Sequence, residues 1–320
     1  MIKKMAVLTS GGDSPGMNAA IRAVVRSALA VGIEVLGIED GYKGLMEEQF
    51  RNLNRNDVSD ILIKGGTILG TARLDDFKDN QVVEKAAEIL YRQQIQALVV
   101  IGGDGTYRGA WALCQKGIGC IGIPATIDND LNSTEYAIGF DTALNTVISA
   151  VDKLRDTSAS HHRCSVVEVM GNNCGDLALY AGISCGAEIV ITKETGYDEL
   201  EVLDRLSYLE SIRGKKHAIV ILSEKITDAE ILANKISTTT PFSGRATKLG
   251  HVQRGGSPSA FDRVLATRYG DYAVALVKEG ITGVSVGLIN NRLVNISLED
   301  LDNIPNYSRK DLYELHKRLI

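Results

Sequence analysis

Short apolar runs alternate along the chain with longer stretches of helical period. "MAVLT" precedes Asn18 to Val31, "ALVVI" precedes Tyr107 to Lys116, and "SVVEV" precedes Asp176 to Ser184. "EIVIT", "AIVIL" and "GVSVGL" are further strand-like runs. A run that is apolar at successive positions buries both faces of its strand, and a helix after each run supplies the cover and the crossover of a parallel sheet. The pattern therefore predicts an α/β protein built of two doubly wound, Rossmann-like α/β domains with mainly parallel sheets. The boundary is expected near Gly139, where the strand–loop–helix pattern restarts, with a return to the first domain after His251. The expected division is 1–138 plus about 252–305 for the larger domain, and about 139–251 plus 306–320 for the smaller.

Composition narrows the class. The 320 residues are 44% hydrophobic and 23% charged, enough apolar material for about two domain cores. A net charge of −5 supplies no basic field for nucleic acid or acidic lipid, so anionic ligands must be met by local clusters of cations. Cys114, Cys120, Cys164, Cys174 and Cys185 are odd in number and form no C-x-x-C pair, which reads as reduced thiols in a cytoplasmic protein without a zinc site. The start, "MIKKMAVLTSGGD", has the charged head of a signal peptide, but its apolar run stops at a glycine pair too early for export. No later apolar segment is long enough to span a membrane.

Ligands of open α/β sheets gather at the carboxyl ends of strands. "TSGGDSPG" follows the first run, "GGDGTYRG" follows "ALVVI", and "PATIDND" follows "CIGI". Glycine pairs let a backbone take positive φ and approach a ligand closely, and the N–H groups at a helix start favour phosphate. The same glycines suit plain tight turns, but two Gly-Gly-Asp loops in one domain point to a polyphosphate held between them. No G-x-x-x-x-G-K-[ST] run occurs and no G-x-G-x-x-G follows the first strand, which sets aside a P-loop and weakens a dinucleotide reading. Asp104 beside such a cradle would repel phosphate unless a cation intervened, and Mg²⁺ bridges a carboxylate to phosphates while keeping several waters. Asp128 and Asp130 flank Asn129. A turn held by side-chain to backbone bonds and a carboxylate pair set for chemistry both fit that pattern.

Taken in order, "LTSGGDSPGMNAAIR", "VVIGGDGTYRGA", "IPATIDND", "IGFDTALNTV", "LRDTSASHHR", "VEVMGNNCGDLALYAG", "GKKHAIVIL" and "LGHVQRGGSPSAFDR" resemble the bacterial ATP-dependent 6-phosphofructokinases over essentially the whole chain. The resemblance implies transfer of the γ-phosphoryl group of ATP to the 1-hydroxyl of fructose 6-phosphate, with Mg²⁺. It implies Asp128 as the base that takes the hydroxyl proton, with Thr126 and Asp130 seating the sugar; in such chemistry a carboxylate orients the attacking hydroxyl. For ATP it assigns Gly12, Tyr42, Arg73, Leu74, Gly103, Asp104, Gly105 and Thr106, with Asp104 toward the metal; with asparagine at 172, Arg73 is the cation expected to stabilise the transferring phosphate. For the sugar phosphate it assigns Thr126, Ile127, Asp128, Arg163, Met170, Gly171, Asn172, Glu224, Arg245, His251, Val252, Gln253 and Arg254. The family's sites take arginines from a neighbouring subunit, which implies a homotetramer in which Arg163 and Arg245 cross over.

Arg22 and Arg26 lie four apart on one helix face, where like charges repel unless water screens them or an anion sits between. The resemblance matches them, with Ala23, Val24, Val25, Arg55, Asn56, Asp57, Val58, Ser59, Asp60, Arg155, Gly186, Glu188, Arg213, Lys215, Lys216 and His217, to an effector pocket in which ADP activates and phosphoenolpyruvate inhibits. Some positions depart from the family pattern. Asn172 stands where an arginine is usual, Leu74 replaces an aromatic, Lys78 replaces an arginine, Ala125 a glycine, and Thr106 a frequent serine. A lost arginine near the transferring phosphate would lower turnover, which keeps a catalytically weak nucleotide and metabolite sensor open as a second reading. Pyrophosphate-dependent relatives tend to carry an aspartate after "GGD" and a lysine before "TIDND"; Gly105 and Ala125 at those places favour ATP.

Overall fold

Met5 and Val7 point to one face of the first strand and Ala6 and Leu8 to the other, and all four are fully buried. Full burial of an aliphatic side chain contributes about 1.5–3 kcal/mol, so a run apolar at every position belongs in the middle of a sheet covered on both sides. The computed structural model describes residues 2–72, 74–304 and 309–320. From the amino end the chain forms β1 (Lys4–Thr9), α1 (Met17–Ala30), β2 (Glu34–Ile38), α2 (Gly41–Met46), β3 (Phe50–Asn52), α3 (Asn80–Arg92), β4 (Ala97–Gly102), α4 (Asp104–Cys114) and β5 (Cys120–Pro124). The long α5 (Phe140–Ser160) leads to β6 (Arg163–Val169), α6 (Asp176–Cys185), β7 (Ile189–Ile191), α7 (Glu199–Arg213), β8 (Ala218–Ser223), α8 (Ala229–Thr239) and β9 (Ser243–Lys248). There follow α9 (Ala260–Glu279), β10 (Val284–Ile289), β11 (Arg292–Ser297) and α10 (Lys310–Leu319).

These elements form two compact α/β units. The first comprises residues 1–126, 131–142 and 254–307; the second comprises 127–130, 143–253 and 308–320. Residues 127–130 thus group with the second unit, where the sequence division had them in the first, and the later crossing falls within α5 rather than at Gly139.

The first unit holds a sheet of order β11-β10-β5-β4-β1-β2-β3, parallel except for its two outermost strands. Apolar residues of α1 and α9 cover one face, and those of α2, α3 and α4 cover the other. A Cβ at Gly270 of α9 would lie 2.6 Å from Ala23 Cβ and 2.9 Å from Ala20 O, so the close approach of α9 to α1 requires a glycine there. From β1 the chain runs outward to β2 on one side, then resumes on the other side with β4. The carboxyl ends of β1 and β4 therefore flank the switch point of a doubly wound sheet.

The second unit has four parallel strands in the order β7-β8-β6-β9. Leu203 and Leu206 of α7 and Leu232 and Ile236 of α8 pack with Val166, Val220 and Leu222 on one face. Asp198 and Asp228 cap those helices, each accepting from two backbone N–H groups of the first turn. In the same unit α10 is fixed by Tyr313 Oη, 2.8 Å from Thr192 Oγ1, and by His316 Nε2, 2.8 Å from Ala187 O. Among the described residues no helix is long and apolar enough to cross a membrane.

Candidate active site

In the first unit, the loops after β1 and β4 lie against each other at the switch point. Ser10 N donates to Ile101 O at 3.1 Å, and Thr106 Oγ1 donates to Ser10 O at 3.0 Å. A Cβ on Gly102 would sit 2.4 Å from both Ser10 O and Thr106 Oγ1, so the contact excludes any side chain there. Thr106 is buried and its hydroxyl is occupied in joining the loops. Tyr42 is buried too: its hydroxyl donates to Thr106 O at 2.6 Å and its ring stacks on Phe77. Burial pushes the Tyr42 phenol well above its ordinary pKa. These two residues brace the glycine loops from beneath. Leu74, by contrast, is partly buried against the core beneath α4. Arg73 lies outside the described residues.

The sequence put the helix after "GGDG" at Tyr107, yet α4 begins at Asp104, with Gly103 in extended conformation as its cap. Asp104, Gly105 and Thr106 are therefore the helix's own first turn, and their N–H groups form its electropositive end. Asp104 pairs with Arg108 one turn on, at 2.9 Å, both side chains half-exposed. Such a surface i,i+4 pair is worth only about 0.3–0.5 kcal/mol, so a cation can take Asp104 at little cost. A Cβ on Gly105 would meet nothing within 4 Å, whereas one on Gly12 would lie 2.0 Å from Arg254 Nη1. The Arg254 guanidinium thus rests on the backbone of the β1 loop, and its buried Nε has no hydrogen-bond partner among the described residues. Thr126 N donates to Ile138 O at 3.0 Å, Ser14 Oγ donates to the same carbonyl at 3.1 Å, and Gly139 N donates to Asp262 Oδ1 at 3.0 Å. Asp262 is fully buried and also accepts from Thr142 N at 2.8 Å and Thr142 Oγ1 at 2.5 Å. Burial outweighs those bonds and raises its carboxyl to about 6.

In the second unit the residues from Ile127 to Asp130 alternate. Ile127 and Asn129 are buried, Asp128 and Asp130 partly exposed. Asn129 has φ of 53°, a left-handed conformation that asparagine tolerates better than most residues. Its Nδ2 donates to Asp176 Oδ2 at 2.9 Å. The loops after β6 and β8 meet beside this turn. Asn172 N donates to Glu224 Oε1 at 2.9 Å, Asn172 Nδ2 to Asp130 Oδ2 at 3.3 Å, and Lys225 Nζ to Asn172 Oδ1 at 2.5 Å. Gly171 takes φ of 142°, and a Cβ there would sit 2.5 Å from Cys174 O. Met170 N donates to Gln253 Oε1 at 3.2 Å; Gln253 is fully buried and acts as a brace, while His251 and Val252 are exposed.

Two expected substrate residues stand apart from this cluster. Arg163 begins β6, and Arg245 pairs with Ser165 on the edge strand β9, so both lie toward the amino ends of their strands. The loop of Met170–Asn172 leaves the other end of the seven-residue β6, about 20 Å away at about 3.3 Å per residue.

The effector set also divides. In the first unit, burial and Arg26 hold the Arg22 guanidinium below its ordinary pKa, and the buried Arg26 Nε lacks a partner among the described residues. Ala23, Val24, Val25 and Val58 turn into the core. The segment from Arg55 to Asp60 is a tight turn in which Ser59 Oγ donates to Arg55 O at 3.0 Å, Asp57 Oδ2 accepts from Asn54 N at 2.8 Å, Asn56 N donates to Asn54 Oδ1 at 2.8 Å, and Asp60 has φ of 56°. In the second unit, Glu188 is buried, accepts from Ile219 N at 2.7 Å and pairs with Lys215. Arg155 donates to Cys185 O, next to the left-handed Gly186 that ends α6. His217 lies within the fields of Glu188, Arg155 and Lys215, with burial holding its imidazole below the ordinary value. Lys216 is exposed beside them, and the side chain of Arg213 lies outside the described set.

Sequence reading missed Lys225, Asp176 and Arg309, which support the paired carboxylates. Lys225 directly follows Glu224, the one signal available; Asp176 and Arg309 are joined to the site only through the fold.

Two glycine loops at a switch point, a half-exposed carboxylate in a helix's first turn and a braced carboxylate pair define a doubly wound α/β protein suited to handling phosphorylated ligands. The phosphofructokinase family model matches residues 4–277, and the chain belongs to that family. The ATP-dependent 6-phosphofructokinase of Photobacterium profundum is 54% identical over the full length of both chains, and that of Vibrio cholerae 53% over the same span. Among solved structures, Saccharomyces cerevisiae phosphofructokinase superposes with a TM-score of 0.87 at 33% identity, covering 98% of this chain, which spans about half (50%) of the yeast one. A pyrophosphate-dependent phosphofructokinase from Marinobacter aquaeolei shares the fold at 20% identity, with a TM-score of 0.85, covering 100% of this chain and 92% of that one.

Proposed function

We propose that this chain transfers the γ-phosphoryl group of ATP to the 1-hydroxyl of fructose 6-phosphate, giving fructose 1,6-bisphosphate and ADP, as a regulated cytoplasmic enzyme of glycolysis. The carrying observation is the alternation that buries Asn129 and leaves Asp128 and Asp130 partly exposed, on a turn continuous with Thr126. Asp128 takes the proton from the attacking hydroxyl, and Asp130, held by Asn172, keeps the sugar in register. Full-length relatives at 53–54% identity that are named ATP-dependent 6-phosphofructokinases support this reading.

The glycine loops and the start of α4 bind the nucleotide phosphates through backbone N–H groups, and Arg254 adds charge beside Gly12. Mg²⁺ fits Asp104: its oxygens are hard donors, half-exposed, and among the described residues engaged by an exchangeable surface pair alone. The cation would be held by one carboxylate, phosphate oxygens and water. When bound, the cation neutralises charge on the phosphates. The distance of Arg163 and Arg245 from the Met170–Asn172 loop supports a homotetramer in which they complete a neighbour's sugar-phosphate site. Arg22 with Arg26, and Arg155 with Lys215, Lys216 and His217, supply the cations of an effector site for ADP and phosphoenolpyruvate.

The test is a coupled assay of ADP release from ATP, Mg²⁺ and fructose 6-phosphate. Asp128→Asn keeps the shape but cannot take a proton, so kcat falls about 10²–10⁴-fold with little change in sugar-phosphate affinity. Near-normal turnover in that variant would reduce the carboxylate to a turn residue. A parent protein that binds nucleotide without turnover would instead favour the sensor reading left open by Asn172.

A further inference from the structure

We propose that Asp176 and Arg309 are positioning residues for the paired carboxylates, acting through Asn129 as a charge-compensated tether from the carboxyl-terminal segment to the turn between Asp128 and Asp130. The proposal rests on the kinase reading above and adds to it residues that touch no reacting atom.

Asn129 needs a tether because its backbone is left-handed, a conformation that costs energy in any residue but glycine. The tether is its amide, which donates to Asp176 Oδ2 at 2.9 Å. Asp176 in turn accepts from Arg309 Nε at 3.1 Å and Nη2 at 2.9 Å, with both side chains nearly buried. The forked guanidinium fixes the carboxylate in direction as well as in charge. Arg309 is itself held over the Tyr180 ring, at 5.8 Å from its centroid, and it immediately precedes α10. Asp176 also stands in the first turn of α6.

The charge compensation has a consequence for the base. Burial pushes the Cys174 thiol up to about 12, and Asp176, Glu194 and Asp130 add to the rise, so these carboxylates share one electrostatic neighbourhood around that sulfur. Cys174 Sγ lies 3.9 Å from Asn129 O, on the turn itself. Among the described residues of this unit, the charged side chains linked to the turn through Asn129, Asn172 and Cys174 are Asp130, Asp176, Glu194 and Glu224 on the negative side, and Arg309 and Lys225 on the positive. Removing Arg309 alone leaves an uncompensated carboxylate near Asp128 and raises its proton affinity; removing the charge of Asp176 alone leaves a bare cation and lowers it.

The experiment compares kcat–pH profiles of the parent, Arg309→Gln, Asp176→Asn and the double variant. The acid limb should move up by about half a pH unit in Arg309→Gln and down by a similar amount in Asp176→Asn, and should return close to the parent in the neutral double variant. Asn129→Gly, which keeps the left-handed backbone but loses the amide, should lower kcat about tenfold while KM for fructose 6-phosphate changes less than about twofold. Limbs that stay fixed in both single variants, or move in the same direction, overturn the proposal, because a merely structural pair would lower activity without opposite shifts. If a single variant does not fold, the double variant and Asn129→Gly still decide: parent-like kcat in both overturns the tether. Should the parent show no turnover, the functional reading fails by itself. The proposal is then read from the titration of the Asp128 carboxyl, by infrared difference against Asp128→Asn in each background, with the same opposite shifts expected.

Discussion

Replacing Asp262 by asparagine should change how stability depends on pH, in a direction opposite to that of an ordinary paired carboxylate. Asp262 accepts three hydrogen bonds, from Gly139 N, Thr142 N and Thr142 Oγ1, which favour the ionised form. Complete burial opposes them and wins, with Asp141 adding to it, so the carboxyl rises from its ordinary 3.8 to about 6. The folded state therefore holds a proton between about pH 4 and pH 6 that the unfolded chain has released. Its contribution to stability is fully present below the unfolded value and is lost as pH rises through about 6, amounting to about 3 kcal/mol. Urea unfolding of parent and Asp262→Asn at matched protein concentration, from pH 4 to pH 7, isolates this group, because every other titration is common to both. The stability of the parent minus that of the variant should fall by about 2.4 kcal/mol across the range, the rest of the change lying below pH 4. A constant difference would refute the reasoning. A rising one would mean that the three donors outweigh burial, and hydrogen exchange at Gly139 and Thr142 would then report tighter protection at neutral pH.

Pyrophosphate should not replace ATP, since the open space beside Gly105 holds no side chain to mimic nucleotide phosphates; product formed from pyrophosphate without ATP in the coupled assay would contradict this. Arg26→Ala should weaken the response of fructose 6-phosphate saturation to ADP and phosphoenolpyruvate while sparing the maximal rate, as each charge-assisted contact with a phosphate is worth about 1.5–3 kcal/mol. Unchanged effector curves in that variant would remove the residue from regulation. Lys225 already brings a cation to Asn172, so Asn172→Arg should raise kcat by less than about tenfold, or ~1.4 kcal/mol of barrier, and Lys225→Ala should lower it by a similar factor. A gain of several hundredfold from Asn172→Arg would mark the natural protein as a crippled kinase.

What the sequence revealed follows from where each element sits. β1, β4 and β8 are legible because they are central and apolar on both faces. β9, "SGRATK", is an edge strand whose pairing is set by its neighbour β6, so its polar residues give no strand signal. The glycine loops were readable as tight turns after their strands, but Asp104 belongs to a helix that the two surrounding glycines disguise. Thr106, Tyr42 and Gln253 are buried, and each engages its side-chain polar group with another loop, a contact that depends on the fold and leaves no mark in the sequence. Asp176 and Arg309 could not be joined from sequence, since their pairing depends on how α6 and the segment before α10 come to lie together.

The interleaving of the two units bears on how the chain is made. α1 packs chiefly on α9, and β5 takes β10 as its outer neighbour, yet both partners lie beyond the whole of 143–253. At about 5–20 residues per second, a ribosome needs roughly 5–20 s to cross that interval. During that time the apolar stripe of α1 and the open edge of β5 face the cytosol of the translating cell without their native cover. The nascent first 142 residues are thus a standing client for holding chaperones, and a slow codon tract within 143–253 would lengthen that exposure without changing one residue of the finished enzyme.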